Sequence, residues 1–445
     1  MAVSPARVAA FEILLRVERD GSYAAELLHS SSFSKLSSRD HGLATELVMG
    51  VLRWRSLLDE HMARASSQKI DRLDNEVLAA LRLGLYQILF LSRVPVRAAI
   101  FESVELVKTA RKRSAAGFVN AVLRKVGAVA ANDVFSQIGK SADARSLAQY
   151  AAHPEWLVAR WIEEYGLETA RQICAHDQTI PPTSIHVNDE EAEQELISDG
   201  VTLSPGLLLT SARRVVLGDV TSTRAYREEK VSIQDEASQL VAILVGRGET
   251  VLDCCAAPGS KTALLARRNP RAKVFATELH AHRARLLKSL HRLANVRVVV
   301  ADACLLPFSA MFDCILADVP CSGTGTLARN PEIKWRLKRE DLMDLQSRQV
   351  AILKSVLANL AIGGRAVYST CSLEREENED VIAKVLDGAV DLAVVDFGKE
   401  LERLKQASEL ASSIETTSLM GGPFIRTIPG VHPCDGFFAG LIERR

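Results

Sequence analysis

The sequence predicts a multidomain chain: an all-α N-terminal domain, a small α+β connecting domain and a C-terminal α/β domain with a doubly wound sheet. Three patterns lead to this prediction. Apolar residues recur at helical spacing over the first third, short strand-like segments follow, and strands then alternate with helices beyond Glu249. Because strand–helix–strand units build parallel sheets, the third pattern predicts the doubly wound architecture.

The N-terminal domain, which we place at residues 1–135, is helical from Pro5 to about Val126. Its segments place apolar residues at i, i+3, i+4 and i+7, as in NEVLAALRLGLYQILFL and GFVNAVLRKV. Short breaks separate these segments, and they are polar or contain proline, as in SRVPVR. The residues near 127–150 are small and polar, so we predict a linker there.

The other two domains differ in their strand patterns. Residues 145–235 begin with a helical segment and continue with the strand-like stretches PPTSIHVN and TLSPGLLLTSARRVVLGD, which predicts the small α+β domain. Residues 236–445 contain a long helix from about Arg339 to Leu360 and a last strand, FFAGLI. The other strands predicted in this domain are TVLDCC, AKVFATE, VRVVVAD, FDCILADVP and AVYSTCS.

The composition predicts a soluble, cytoplasmic protein. The 445 residues are 47% hydrophobic and 25% charged, which is usual for a globular protein. The amphipathic start, MAVSPARVAAFEILLRV, has no uninterrupted apolar region, so we expect neither a signal peptide nor a membrane anchor. None of the eight cysteines lies in a CxxC pair, so we expect neither a metal nor a disulfide framework.

The charge balance points weakly to nucleic acid. Formal net charge is zero, but the first 130 residues hold 19 Lys and Arg against 13 Asp and Glu. A basic excess suits RNA phosphates, although many helical domains carry as much without binding RNA. The charge balance alone therefore does not decide the partner.

Chemically useful residues follow the strands of the C-terminal domain. In open α/β sheets, ligands bind beyond the carboxyl ends of the strands. The residues found there are CCAAPGSK at 254–261, Glu278, Asp302, DVPC at 318–321 and TCS at 370–372. The first segment can be a simple turn, and each acid can be a helix or turn cap. Three acids at one edge nevertheless favour a site for a ligand with a ribose, an adenine amine and a cationic centre.

Two cysteines stand out because both lie on loops beyond strands. Cys321 follows Asp318-Val-Pro, and Cys371 follows the strand AVYST. Other cysteines such as Cys174 fit the small buried hydrophobe that a cysteine usually is. The first loop lacks the GxGxxG spacing of dinucleotide-binding folds and is not a P-loop, which excludes a dehydrogenase.

These motifs resemble the bacterial RNA cytosine-C5 methyltransferases. The matching segments are VLDCCAAPGSKT, ATELHAHR, ADVPCSGTGTLARNPEIKWR, YSTCSLEREENE and DGFFAGLI. The first third is similar to the NusB-like RNA-binding domain of that family through AIFESVELVK and GFVNAVLRK. The resemblance implies a Rossmann-like methyltransferase domain at 236–445 and a 16S ribosomal RNA substrate, and we expect a monomer that binds no metal and no membrane.

The resemblance also implies a mechanism. The protein would transfer a methyl group from S-adenosylmethionine to carbon 5 of a cytosine through a covalent bond between a cysteine and carbon 6. Cys371 would be the nucleophile, Cys321 would assist product release, and Asp318 would contact the cytosine. Residue chemistry alone does not rank the two cysteines. The cofactor residues would be Cys254, Cys255, Ala256, Ala257, Pro258, Gly259, Ser260, Lys261, Glu278, Arg283, Asp302 and Asp318.

The basic segment ARNPEIKWRLKR at 328–339 permits two interpretations. Arg329, Lys334, Trp335 and Arg336 could hold RNA, or the segment could be a solvated charged face that Trp335 anchors in the core. Two functional alternatives also remain: methylation of transfer RNA or another ribosomal cytosine, and an RNA-binding assembly or antitermination factor whose methyltransferase domain is only a scaffold.

Overall fold

The computed structural model describes residues 3–30, 33, 36–66, 68–127, 134–290, 293–309 and 311–445, without the side chains of 134 and 135. The chain forms two compact units. The helical unit comprises Met1–Ile180 and Leu327–Arg336, and the sheet unit comprises Pro181–Thr326 and Leu337–Arg445. None of the described helices is both long and apolar enough to cross a bilayer.

The helical unit is built around the helix Asn75–Phe90, in which every residue from Val77 to Gln87 is buried. The first helix ends at Gly21, whose φ of 64° suits glycine, and Ser37 caps the third by accepting from Asp40 N–H. Before residue 180 the described helices are Pro5–Asp20, Ala24–Leu28, Ser38–Arg53, Arg55–Ala65, Asn75–Phe90, Val96–Thr109, Ala116–Val126, Val134–Lys140, Ala144–Ala151 and Glu155–Asp177. The last of them is broken at Gly166.

The linker predicted near 127–150 is wrong for most of its length. Val134–Lys140 and Ala144–Ala151 are helices, and Asp143 caps the second one by accepting from Ser146 N–H. Leu147 and Ala151 of this helix are buried in the unit. Small residues such as alanine favour helix as readily as they occur in linkers, which explains the error. The part of the linker at 128–133 lies outside the described residues.

The segment Leu327–Arg336 belongs to the helical unit although it lies far along the chain. It contains a short helix, Ile333–Arg336. The ammonium of Lys334 donates to the carbonyls of Arg53 and Ala152, each at 3.0 Å. Because backbone carbonyls accept these bonds, the charged segment is embedded in the unit.

The sheet unit begins with a small antiparallel sheet. Its strands are β1 (Thr183–Val187), β2 (Thr202–Pro205), β3 (Ala212–Leu217) and β4 (Val231–Ile233). Their order is β2-β3-β1-β4, and the helices Glu190–Ser198 and Arg224–Arg227 accompany them. Buried residues such as Ile185 and Leu196 form a separate apolar cluster, as expected for a small α+β domain.

A nine-stranded sheet forms the rest of the unit. Its strands are β5 (Thr250–Asp253), β6 (Lys273–Glu278), β7 (Val296–Val300), β8 (Phe312–Asp318), β9 (Leu360–Thr370), β10 (Leu392–Val395), β11 (Met420–Gly421), β12 (Phe424–Thr427) and β13 (Phe437–Arg444). The order is β11-β12-β13-β9-β8-β5-β6-β7, with β10 on β13. Strands β5 to β9 are parallel, and β13 is antiparallel to β9.

Helices cover both faces of this sheet. They are Glu236–Leu244, Ser260–Arg268, Ala281–Leu290, Asp341–Ala358, Glu379–Leu386 and Gly398–Gln406. Along β9, Val367 packs into one apolar cluster while Ala366 and Tyr368 pack into the other, because neighbouring strand residues point to opposite faces. Fully burying a Val or Leu side chain stabilises the fold by about 1.5–3 kcal/mol. The predicted fold class is confirmed, and the strand order reverses between β5 and β8, where such sheets bind ligands.

Candidate active site

The turn after β5 joins this strand to the helix Ser260–Arg268. Gly259 precedes the helix with a φ of 117°, a conformation that favours glycine. The first N–H groups of a helix have no partner within it, so they point toward the space beyond the strand ends. A cavity of about 1000 Å³ borders the turn at Pro258 and Ser260.

Asp253 is a buried acid beneath this turn. It ends β5 and is 1% exposed, and Thr262 Oγ1 donates to its Oδ2 at 2.7 Å. Burial raises the pKa of Asp253 to about 6. Its buried Oδ1 has no hydrogen-bond partner among the described residues. Sequence reasoning missed this residue, although its place at the end of a strand was a usable signal.

The acids after β6 and β7 lie where the sequence predicts them. Glu278 is buried, and its Oε1 accepts from His280 N–H at 2.9 Å. Arg283 lies 3.9 Å from Glu278 Oε2 and donates to the carbonyl of Ala257 at 3.3 Å. Asp302 is exposed and accepts from Cys304 N–H at 2.9 Å. Each acid therefore also caps its own turn, as the alternative interpretation expects.

Asp318 ends β8 with both carboxylate oxygens engaged. Lys261 Nζ lies 2.8 Å from Oδ2, and Ser369 Oγ donates to Oδ1 at 2.8 Å. The lysine ammonium also lies 5.2 Å from the ring centre of Phe437. Lys261, from the helix after β5, thus meets the acid of β8 at the point where the strand order reverses.

The two predicted cysteines face each other. Cys321 Sγ lies 3.3 Å from Cys371 Sγ, and both residues are partly exposed. The hydrogen bond with Cys371 raises the pKa of the Cys321 thiol, and burial raises it further. Lys261 interacts electrostatically with Cys371 as well as with Asp318. The two sulfurs and the carboxylate of Asp318 therefore converge on one side chain.

The other predicted residues of the first loop have less chemical character. Cys254 is buried and its Sγ lies 3.8 Å from that of Cys255. This contact, together with burial, raises the pKa of the Cys254 thiol. Among the described residues, no three His, Cys, Asp or Glu side chains are grouped as metal ligands would be.

The basic segment at 328–339 follows the packing interpretation in the helical unit. Lys334 is 1% exposed, and burial lowers its pKa to about 7. Trp335 Nε1 donates to the carbonyl of Leu52 at 2.6 Å, and Arg336 donates to that of Gly21 at 2.7 Å. Arg329 is half-buried. We therefore no longer assign phosphate binding to Lys334, because its donors already serve backbone carbonyls.

The fold and the site together define a class: a Rossmann-like α/β enzyme with paired cysteines at the reversal of its strand order. Comparison with known families places the chain more closely. Residues 241–443 match the family described as 16S rRNA methyltransferase RsmB/F. Residues 4–128 match the NusB family, and 153–203 match the ferredoxin-like domain of the RsmF/B-like methyltransferases.

Relatives over nearly the whole chain agree with these matches. The probable ribosomal RNA small subunit methyltransferase B of Bacillus subtilis is 33% identical and covers 98% of both chains. The ribosomal RNA small subunit methyltransferase B of Pseudomonas syringae is 33% identical over 86% of each. The solved structure of PH0851 shares the fold, with a TM-score of 0.80 at 23% identity over the full length of both chains. The chain therefore belongs to the RsmB/F family of 16S rRNA methyltransferases.

Proposed function

We propose that this protein transfers a methyl group from S-adenosylmethionine to carbon 5 of a specific cytosine in 16S ribosomal RNA, through a covalent bond between Cys371 and carbon 6 of the base. The observation that carries the proposal is the 3.3 Å approach of the Cys321 and Cys371 sulfurs beside the Lys261–Asp318 ion pair. The names of the relatives, which are ribosomal RNA small subunit methyltransferases, support the substrate.

The chemistry requires a sulfur nucleophile because carbon 5 of cytosine reacts poorly with electrophiles. When the thiolate adds to carbon 6, carbon 5 becomes enamine-like, which is covalent catalysis. After carbon 5 carries the new methyl group, its proton must leave to a base. The S–C6 bond then breaks, its electron pair restores the ring double bond, and the cysteine is released.

The residues around the turn after β5 fit S-adenosylmethionine. The turn Cys254–Lys261 would cradle the cofactor, because Gly259 allows a close approach and Asp253 leaves one buried oxygen without a partner among the described residues. Glu278 would accept from the ribose, with Arg283 beside it. Asp302 would lie near the adenine and Asp318 near the methionine end. When bound, the cofactor supplies an electrophilic methyl group on its sulfonium.

The surroundings of the two sulfurs support different roles for them. Cys371 would be the nucleophile, and Lys261 is the cation that favours its thiolate. Cys321 would assist product release, because a raised pKa keeps it a thiol while Cys371 attacks. Asp318 would contact the cytosine ring and hold Lys261 in place.

Replacing each cysteine in turn tests these roles. We expect Cys371→Ala to abolish both methylation and covalent RNA trapping. We expect Cys321→Ala to accumulate a protein–RNA adduct, because attack proceeds while release fails. The adduct is measured on a denaturing gel with 16S ribosomal RNA from cells that lack the enzyme. An adduct that needs Cys321 and survives the loss of Cys371 would reverse the assignment.

The substrate is tested by bisulfite mapping of RNA from the same cells. We expect one cytosine of 16S ribosomal RNA to lose its methyl group, and loss from transfer RNA instead would refute this substrate. The mapping also decides against a purely scaffolding role if any cytosine changes. We further propose that the protein acts as a monomer in the cytoplasm, where reducing conditions keep both thiols free.

A further inference from the structure

Glu377 is a buried acid that the mechanism above does not use. It lies in the short 3-10 helix Arg375–Glu377 beyond Cys371 and is 0% exposed. Its Oε1 accepts from Ser322 N–H at 2.8 Å and from Gln349 Nε2 at 2.9 Å. Its Oε2 accepts from Ser372 Oγ at 2.5 Å and from the Ser322 hydroxyl. Four donors therefore meet on one carboxylate.

These donors come from the residues that follow the two cysteines. Ser322 follows Cys321, Ser372 follows Cys371, and the two serine Oγ atoms lie 3.0 Å apart. The serine pair thus repeats the sulfur pair, whose atoms lie 3.3 Å apart. Since each serine is bonded directly to a cysteine in the chain, a group that holds both serines also sets the separation of the sulfurs.

The same acid connects the cysteine loops to the sheet and its helices. Gln349, on the helix Asp341–Ala358, donates to Glu377 and also to the carbonyl of Pro320 at 3.0 Å. Tyr368 of β9 donates its hydroxyl to the backbone carbonyl of Glu377 at 2.6 Å. The carboxylate is therefore held on rigid elements rather than on the loops alone.

A carboxylate is a costly choice for this position. Among the described residues, no Lys or Arg lies within ion-pair distance of Glu377, so neutral donors alone compensate for its burial. After the hydrogen bond with Cys371 and burial, the charge of Glu377 also contributes to the raised pKa of Cys321. A carboxylate differs from an amide here because both of its oxygens accept from the two loops.

We propose that Glu377 is a positioning residue that sets the distance between the Cys321 and Cys371 sulfurs by binding the serine after each. This inference rests on the proposed two-cysteine mechanism. Glu377 touches neither the cytosine nor the cofactor in this role, and it acts through the loops. Removing it should therefore change how the sulfurs approach each other, even before RNA is added.

Disulfide trapping in the full-length protein measures this approach directly. The oxidant diamide converts two thiols that can meet into a disulfide and is itself reduced to a hydrazine, and mass spectrometry identifies the Cys321–Cys371 bond. We expect Glu377→Ala to slow this bond about tenfold or more, as loss of positioning does elsewhere. Glu377→Gln keeps the size and can still bind Ser322 N–H, so we expect it to be no slower than the natural protein.

Glu236 provides the matched control. It is also 0% exposed in the sheet unit, and it accepts from the N–H groups of Leu208 and Leu209 at 2.7 and 2.9 Å. Glu236→Ala should lower thermal stability without slowing the disulfide. If Glu377→Ala does not fold, the double variant Ser322→Ala with Ser372→Ala takes its place. Equal trapping rates in the natural protein and in the variants that loosen the serines would overturn the proposal.

Methylation kinetics separate this inference from the proposed function. We expect Glu377→Ala to lower kcat for 16S ribosomal RNA with little change in KM, and Glu377→Gln to restore most of kcat. If the natural protein methylates no cytosine, the proposed function fails. The dependence of trapping on Glu377 would still decide whether this acid positions the sulfurs.

Discussion

At the scale of single residues, Lys261 is the side chain on which the proposed chemistry depends most. Burial lowers its pKa, but Asp318 and then Cys371 raise it by a larger amount, so the pKa lies above its ordinary value. The ammonium is 2.8 Å from Asp318, and its side chain is 17% exposed. A cation in this position favours a thiolate at Cys371.

We predict that Lys261→Met lowers the alkylation rate of Cys371 at neutral pH by about tenfold, because the thiolate loses its cation and faces the unpaired Asp318. Lys261→Arg should retain part of the rate. Iodoacetamide labelling with mass spectrometry of the Cys371 peptide is the measurement. Lys273→Met, which changes an exposed lysine at the start of β6, is the control. An unchanged rate in Lys261→Met would remove the lysine from the mechanism.

At the scale of elements, the loop after β8 is confined by close backbone contacts. Gly325 N–H donates to the carbonyl of Cys371 at 2.8 Å, and Gly436 N–H donates to the carbonyl of Gly325 at 2.8 Å. A Cβ at Gly325 would lie 2.3 Å from the carbonyl oxygen of Gly436. Only glycine fits between the loop of Cys371 and the chain before β13.

We predict that Gly325→Ala displaces the loop of Cys321 and reduces methylation by about 100-fold, as a shift of about 1 Å at a reacting group can. Gly42→Ala is the control, since it lies in the helix Ser38–Arg53 and its new Cβ would have no heavy atom within 4 Å. Single-turnover methylation of 16S ribosomal RNA is measured for both. Natural activity in Gly325→Ala would show that the loop tolerates displacement.

At the scale of the whole molecule, buried histidines make stability depend on pH. Burial lowers the pKa of His153, His186 and His432. For His186 the pKa falls to about 4, and its Nδ1 lies 3.2 Å from Gln239 Oε1. Since the unfolded chain binds a proton at a higher pH than the folded one, stability falls as pH drops.

We predict that the free energy of unfolding decreases between pH 6.5 and about 4, and that His186 accounts for about 3 kcal/mol of the decrease. Urea unfolding of the sheet unit at several pH values measures it. His186→Gln should flatten the profile in this window, whereas His282→Gln, an exposed histidine, should not. A parallel profile in His186→Gln would contradict the assignment.

The boundaries 1–135, 145–235 and 236–445 stay a prediction, and the compact units divide the chain differently. The segment Leu327–Arg336 packs within the helical unit, so a fragment of 236–445 would expose Lys334 and leave Trp335 without its partner. Variants of the full chain are therefore the better test of the N-terminal domain. Periodicity along the chain cannot reveal a segment that packs against residues almost 300 positions away.

The sequence by itself determined the fold class, the order of strands and helices from Glu249 onward, and the residues at the strand ends, including Asp318, Cys321 and Cys371. These follow from local spacing and short motifs, which a chain displays before it folds. Only the tertiary structure decided that Lys261 meets Asp318, that Lys334 is buried and that Glu377 holds Ser322 and Ser372. Burial and hydrogen-bond partners depend on distant residues brought together, so no local pattern specifies them.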